Sequence, residues 1–533
     1  MEPLGGLEVS TAELEAIVEG VREPLGEAGY QKLKAAVHTL GYVTELLENR
    51  ETTIQELRRM LCSGRTEKTA AVLERAGIPT DAAPPPKTNP QKPKPPGHGR
   101  NGSPAYRGAR KIPVAHPALK KGDRCPECAK GKVYRQSPQT LVRIIGQTPV
   151  QATVYAMEKF RCNLCGQVFT AETPEGVGSE KYDATAVSMI ALLKYGSGLP
   201  FYRLEGLQRN LGIPLPSSTQ WELVAQTARQ IEPANEELIR QAAQGEVLYN
   251  DDTSMTILEL MKPGITDEDF LGRTGVFTSG IVSTQGGQKI ALFFTGRKHA
   301  GENLADVLRH RAQDSGPPIQ MCDALARNLP KELKVILSHC IVHGRRRFVE
   351  VAPNFPGHCR HVLETLGEVY RNDAITRDQQ MSPEDRLTFH QIRSGPLMTQ
   401  LRGWFIQQLD EHKVEPNSGL GTAITYMIKY WDALTLFLRQ AGAPLDNNLC
   451  ERTLKKAILH RKNALFYKTR TGAHVGDIFM SLIYTCQLSN ADPFDYLTQL
   501  QRHTRELGGS PSEWMPWNYL DTLQRTGATI DSG

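Results

Sequence analysis

The run Gly245-Glu-Val-Leu-Tyr-Asn-Asp-Asp-Thr-Ser254 constrains this chain most, because it reads as a short apolar strand ending in two adjacent carboxylates, Asp251 and Asp252. Alone, an Asp-Asp-Thr at a strand end is a turn former or a solvated end. The positions of the next carboxylates change that reading. A second strand-like run, Pro317-Pro-Ile-Gln-Met-Cys322, ends in Asp323, and Asp446-Asn-Asn-Leu-Cys-Glu-Arg452 opens a helical segment that carries Glu451. Two strand-end aspartates and one helix glutamate supply hard oxygen ligands. Such a trio suits two divalent cations at a phosphodiester, one activating the attacking oxygen and one stabilising the leaving oxygen. Strand side chains alternate faces, so only one of Asp251 and Asp252 can point into a shared site.

At 533 residues the chain is too long for one core, and several domains are expected. No stretch of eighteen or more apolar residues occurs, so no membrane span is expected. The opening Met1-Glu-Pro-Leu-Gly5 has no basic segment followed by an apolar one, which leads us to expect a cytoplasmic protein. A net charge of +5 permits a polyanionic partner without demanding one. Ten cysteines without an export signal argue against a disulfide framework. Six of them (Cys62, Cys322, Cys340, Cys359, Cys450, Cys486) are scattered and read as small buried apolar residues.

Residues 8–80 form a helical region in which Leu33, Leu40, Leu47, Ile54 and Leu61 recur every seven positions, the pattern of a coiled coil or of one long amphipathic helix. Residues 81–112 are a proline-rich basic linker, extended and able to neutralise phosphates without sequence preference. Within residues 113–175, Cys125-Pro-Glu-Cys128 and Cys162-Asn-Leu-Cys165 are two Cys-x-x-Cys turns that together suit a closed structural Zn2+ site. The intervening runs Thr140–Ile145 and Val150–Met157 read as paired strands. Residues 180–242 are helical, and the segment 203–221 has the helix, glycine turn and capped second helix of a helix-turn-helix or of any helical hairpin.

Residues 243–349 alternate strands and turns: 247–249, 274–283, 289–295, 319–322 and 335–340, with a helix over 302–311. That order predicts a mixed α/β sheet. An all-helical block over 350–443 follows, inserted between two of the proposed ligands. The core resumes over 444–485 with the Glu451 helix, and 486–533 is a C-terminal segment.

In these runs the chain resembles the insertion-sequence-66 family of transposases, of the DDE class. The resemblance rests on the Asp-Asp-Thr strand, the Ile319–Asp323 strand, Cys340-Ile-Val-His-Gly-Arg-Arg-Arg-Phe348 and Asp446–Arg452, followed by His460–Phe466 and Asp492–Leu497. Upstream it rests on Gly64–Lys68, the four paired cysteines and Lys194–Arg203, so it runs from about residue 35 to about 500. It implies an RNase H-like catalytic fold in which Asp251, Asp323 and Glu451 bind two Mg2+ (or Mn2+) ions. It also implies water attack that frees a transposon 3′-hydroxyl, then attack of that hydroxyl on double-stranded target DNA. Cys340 and His343 match a Cys-x-x-His pattern near the insertion, where a buried thiol and a hydrogen-bonded histidine would hold the last strand. Arg345, Arg346, Arg347, Arg452, Arg461 and Lys462 are candidate phosphate contacts. Asp252 stands where the family usually has Glu, and Gly344 where Ala is usual.

A homo-oligomer, accessory proteins encoded by the same element and a place at the bacterial nucleoid are further expectations from the resemblance. Two other readings stay open on sequence: a DNA-binding repressor or domesticated relic that no longer cuts, and an RNase H-like nuclease without strand transfer.

Overall fold

A computed structural model describes residues 18–21, 29–31, 33–34 and 111–527, apart from 129, 138–139, 142, 145–146, 164, 166, 179, 263–272 and 332. Contacts divide the chain into two units, Met1–Asp81 and Ala82–Gly533. The few described residues of the first unit are mostly helical. The heptad from Leu40 onward, the Gly64–Lys68 run and all but the last two residues of the 81–112 linker lie outside the described residues.

In the cysteine-bearing segment the paired strands lie elsewhere than expected. Residues 140–157 form no strand among those described. The hairpin is instead β1 (Lys159–Arg161) with antiparallel β2 (Val168–Thr170), and it carries the second Cys-x-x-Cys at its turn. The β-branched and apolar residues at 140–157 misled the reading because strand propensity reports a packed surface. Leu141 and Val154 are 93% and 91% exposed and have no such surface.

Three helices follow: α1 (Ala184–Ala191), α2 (Phe201–Asn210) and α3 (Ser217–Ala242). The turn between α2 and α3 passes through Gly212 at φ +77°, so the helix–turn–helix order is present. However, α3 directs Val224, Ala228, Ile231 and Leu238 into the main core. Its long stripe therefore buries against the sheet domain rather than standing free.

The sheet has five strands, β3 (Val247–Ser254), β4 (Phe277–Gln285), β5 (Gln288–Gly296), β6 (Ile319–Cys322) and β7 (Ile336–His339), in the order β5-β4-β3-β6-β7. β3, β4 and β5 are antiparallel neighbours, and β6 and β7 are added parallel to β3. Gly286 and Gly287, at φ +53° and +88°, form the two-residue turn between β4 and β5, where only residues tolerant of positive φ fit. β4 starts later and ends later than expected because its ladder follows β3, from Val247 opposite Thr284 to Ser254 opposite Phe277. Helix α4 (Ala300–Leu308) makes the crossover to β6. It begins earlier than expected because Glu302 Oε2 accepts the N–H of His299, a first turn closed by a residue type that seldom signals one.

After β7 the chain turns helical at α5 (Ile341–Val351), earlier than the expected start at 350, and continues through α6 (Pro356–Asp378), α7 (Pro383–Arg393), α8 (Gly395–Asp410), α9 (Gly419–Lys429) and α10 (Trp431–Leu434). Phe348 and Phe405 stack in its core, 5.7 Å apart. The block leaves and rejoins the sheet at one point, where Ile341 N–H donates to Leu445 O at 3.1 Å. Helices α11 (Asn448–Ala464), α12 (Arg470–Leu488), α13 (Pro493–Arg502), α14 (Thr504–Gly509) and α15 (Tyr519–Thr526) complete the chain.

Strand β5 is a sheet edge, and an unpaired edge is a liability. Helix α12 closes it with side chains. Thr485 Oγ1 accepts from Ala291 N–H at 3.1 Å, Ser481 Oγ from Phe293 N–H at 3.0 Å, and Asp477 Oδ2 from Thr295 N–H at 2.6 Å. The match is geometric: four helical residues rise about 6 Å and two strand residues about 6.7 Å, so i, i+4 and i+8 meet alternate strand positions. Full burial pushes the Asp477 carboxyl up to about 7 despite these donors. Its folded-state affinity for a proton is raised, so its contribution to stability is complete below the ordinary carboxylate range and is lost as pH rises through about 7. We expect wild type to lose roughly 2–4 kcal/mol across that window. An Asp477→Asn variant should lose markedly less, as read by denaturant unfolding at a series of pH values.

Candidate metal centre

Asp251 lies in the body of β3, opposite Gly280 of β4. Opposed residues of an antiparallel pair share a face. The face is identified by what Gly280 meets: a Cβ there would lie 2.9 Å from Leu454 Cγ and 3.5 Å from Cys450 Sγ, both on α11. Asp251 therefore faces α11, the helix that carries Glu451 in its first turn.

Asp252 points to the opposite face. Its Oδ2 is 2.9 Å from His299 Nδ1, its Oδ1 is 3.3 Å from Arg327 Nη2, and its side chain is 1% exposed. This pairing separates the two neighbouring aspartates: Asp252 is a closed structural group, and Asp251 is the one turned toward Glu451.

Asp323 follows β6 directly, beside β3 in the sheet. Its Oδ1 accepts from Leu325 N–H at 3.1 Å and from the Asn328 amide. Asn328 belongs to a buried network in which its carbonyl accepts from Asn250 Nδ2 at 2.8 Å and from Gln320 Nε2 at 2.6 Å. Two strands are thus tied to the loop that orients Asp323. These donated bonds hold the loop, although Gln320 Oε1 and Asn328 Oδ1 stay buried without a partner.

Asn447 performs the same service for Glu451. Its Nδ2 donates to Asn250 O at 3.1 Å and its backbone N–H to Cys340 Sγ at 3.3 Å, pinning the start of α11 to β3 and to the end of β7. Cys450 Sγ also contacts Gly280 O at 3.3 Å. Gly280, Asn447, Asn328, Gln320 and His299 were not anticipated from sequence. A glycine inside a strand pattern is a signal of close backbone approach and could have flagged Gly280; the amides carry no such signal.

Among the described residues the three carboxylates are not gathered as a set within 4.8 Å, but the charges of the other two act on Asp251. Burial pushes the Asp251 carboxyl up to about 7, the N–H of Asp252 opposes this, and the charges of Asp323, Asp252 and Glu451 raise it further. Glu451 Oε1 is sealed from solvent with no hydrogen-bond partner. A buried carboxylate oxygen left unpaired is costly. A crowd of carboxylates with an orphaned oxygen fits hard divalent cations, which would meet both demands.

The basic candidates fall into distinct settings. Arg345 is buried and Arg346 partly so. Arg347 lies over the Tyr426 ring at 4.1 Å. Arg461 clamps the end of β3 through Thr253 Oγ1 at 3.2 Å and Ser254 Oγ at 2.6 Å. Arg452 and Lys462 are exposed. A cleft of about 520 Å³ opens beside Glu451, with Tyr249, Arg377, Arg386, Arg452 and Lys455 in its wall.

Each cysteine turn has its own local order. Cys125 N–H donates to Gly131 O at 2.8 Å, and Gly131 N–H points at Cys128 Sγ at 3.4 Å. The Cys128 thiol is lowered, first by the Gly131 N–H. Cys162 N–H donates to Gln167 O at 2.9 Å. Among the described residues, the thiols of the two turns are not gathered as a set within 4.8 Å. The other described cysteines, Cys322, Cys340, Cys359, Cys450 and Cys486, are buried as expected.

Comparison with known proteins follows the same outline. The chain is 24% identical over 385 residues to the uncharacterized protein y4jD of Sinorhizobium fredii (strain NBRC 101917 / NGR234), covering 68% of this chain and 71% of that protein. It is 24% identical over 502 residues to y4hP of the same organism, covering 87% and 88% of the two chains. The family described as "Transposase IS66 family" matches residues 180–475, a span that holds the sheet, the helical insertion and all three carboxylates. The chain belongs to the IS66 family of transposases.

Proposed function

We propose that the chain cleaves DNA strands at the ends of a bacterial insertion sequence and transfers the freed 3′-hydroxyl to target DNA, with Asp251, Asp323 and Glu451 holding two Mg2+ or Mn2+ ions. The observation that carries this reading is Glu451 Oε1, buried and unpartnered in the first turn of the helix that packs over the Asp251 face of β3. The strand order, three antiparallel strands extended by two parallel ones, supports an RNase H-like fold.

Bound cations supply a nucleophilic oxygen near neutral pH and stabilise charge at the scissile phosphodiester. The protein's part is positional. Asp251 is held by the β3 ladder, Asp323 by Asn328, and Glu451 by the Asn447 anchor. Rigid sheet and helix elements fix such a constellation better than loops do. In the neighbouring cleft Arg377 and Arg386 pair with Asp373, so exposed Arg452 and Lys462 are the simplest phosphate contacts. Arg345, Arg346, Arg347 and Arg461 act in this reading through the helices and strand end they hold.

Cys125, Cys128, Cys162 and Cys165 are proposed to close on one structural Zn2+. The N–H···S geometry at Cys128 supports it, because such donors favour the thiolate a metal needs. No described helix is long and apolar enough to cross a membrane. Action as a homo-oligomer on duplex DNA in the cytoplasm, at the nucleoid and with accessory proteins of the element, completes the proposal.

Two results are expected. Magnesium-dependent cleavage of a labelled duplex bearing the element's terminal repeats should fall by on the order of 100-fold or more in Glu451→Gln; cutting that survives the substitution removes Glu451 from the site. Metal analysis of the purified chain should find tightly held zinc that disappears when Cys125 and Cys128 are both changed to Ser. Retention of that zinc would exclude the cysteine turns as its ligands.

A further inference from the structure

Among the described residues, Cys340, His343 and Glu451 are a group whose ligand atoms all lie within 4.8 Å of one another. They come from two helix starts. Cys340 caps α5, His343 stands one turn further on, and Glu451 lies in the first turn of α11. A spacing of three residues across a helix start puts Cys340 and His343 on one side of it. Glu451 reaches them because Asn447 fastens its helix to Cys340 Sγ.

This set differs in kind from the carboxylate trio. A sulfur, an imidazole nitrogen and a carboxylate oxygen are the donors of a borderline cation, and three of them leave one coordination position open. Mg2+ has little affinity for thiolate or imidazole. Two atoms of the set are sealed and unpartnered, His343 Nδ1 and Glu451 Oε1. Burial pushes the Cys340 thiol up to about 12, and the backbone N–H groups of Asn447, at 3.3 Å, of His343 and of Val342 oppose that rise. A bound cation has to displace the thiol proton. Ligands around a tetrahedral zinc stand roughly 3.3–3.8 Å apart, so closing this group requires shifts of about 1 Å, within the reach of side-chain rotation.

We propose that Cys340, His343 and Glu451 form a second metal site, which takes a borderline divalent cation of the Zn2+ class and withdraws Glu451 from Asp251 and Asp323. Binding joins the cation to Sγ, an imidazole nitrogen and a Glu451 oxygen, and the thiol proton leaves to solvent. One carboxylate then serves two cation sets, and the softer ion holds the centre in an inactive arrangement. The binding stands on these three residues alone. The inhibitory consequence rests on the proposed cleavage reaction.

The test is a Co2+ titration of the full chain, following the visible ligand-field bands and the near-ultraviolet thiolate charge-transfer band. Wild type is expected to show two classes of thiolate-bound cobalt. Cys340→Ser and His343→Gln should each remove or weaken one class at least about tenfold, whereas Cys125→Ser should affect only the other. Thermal unfolding of each variant checks that it is folded. Folded Cys340→Ser and His343→Gln proteins that titrate as wild type would overturn the proposal. Added Zn2+ should then suppress Mg2+-dependent cleavage in wild type about tenfold or more, relieved by excess Mg2+. Cobalt binding as predicted without cleavage under any condition would sink the cleavage reading and leave the metal site standing. Cleavage indifferent to Zn2+ would remove the inhibitory role.

Discussion

The close approach of α11 to the sheet at Gly280 is the contact on which the centre depends. A side chain at 280 would enter the space of Leu454, whose side chain or helix would have to give way. A shift of the helix would carry Glu451 with it relative to Asp251, which lies on that face of β3. The Asn447 amide reinforces the approach by bonding to Asn250 O, across 197 residues of sequence. The long helical insertion between these partners is tolerable because loop-closure entropy grows slowly with length. It is tolerable also because the Ile341–Leu445 hydrogen bond restores continuity where the insertion leaves and returns.

The two faces of β3 divide the labour. On one, Asn250 and Asp252 are satisfied by Asn328, His299 and Arg327, which ties β3 to its neighbours and leaves no free charge. On the other, Asp251 is crowded by like charges and held up near 7. Asp251 thus carries an unmet demand for positive charge. The same logic bears on Glu451, whose buried oxygen has no partner and whose carboxylate lies within 4.8 Å of the Cys340–His343 pair.

Much of this was legible in the sequence. The strands at 247–249, 289–295, 319–322 and 335–340, the helical insertion and the Glu451 helix could be read because apolar runs bounded by turn residues report burial directly. Asp323 and Glu451 stand at a strand end and a helix start as expected, whereas Asp251, expected at a strand end, lies inside β3, which runs on to Ser254. Other features depended on three-dimensional neighbours. Whether Asp251 or Asp252 faces the centre follows from pairing with His299 and Arg327, distant in sequence. The side-chain ladder of Asp477, Ser481 and Thr485 on β5 reads in sequence as ordinary polar positions of a helix. The strands expected at 140–157 failed for the converse reason: favourable residue types there had no partner surface, and the hairpin formed at 159–170 instead.

The central claim is that three carboxylates from β3, β6 and α11 jointly hold divalent cations. Its most direct test is Mn2+ binding, followed by the loss of the free-ion electron paramagnetic resonance signal, for wild type, Asp251→Asn and Glu451→Gln. The account predicts that wild type removes two ions from solution and that each substitution weakens binding by on the order of tenfold or more. Binding of the same number of ions with the same affinity in all three proteins would contradict it.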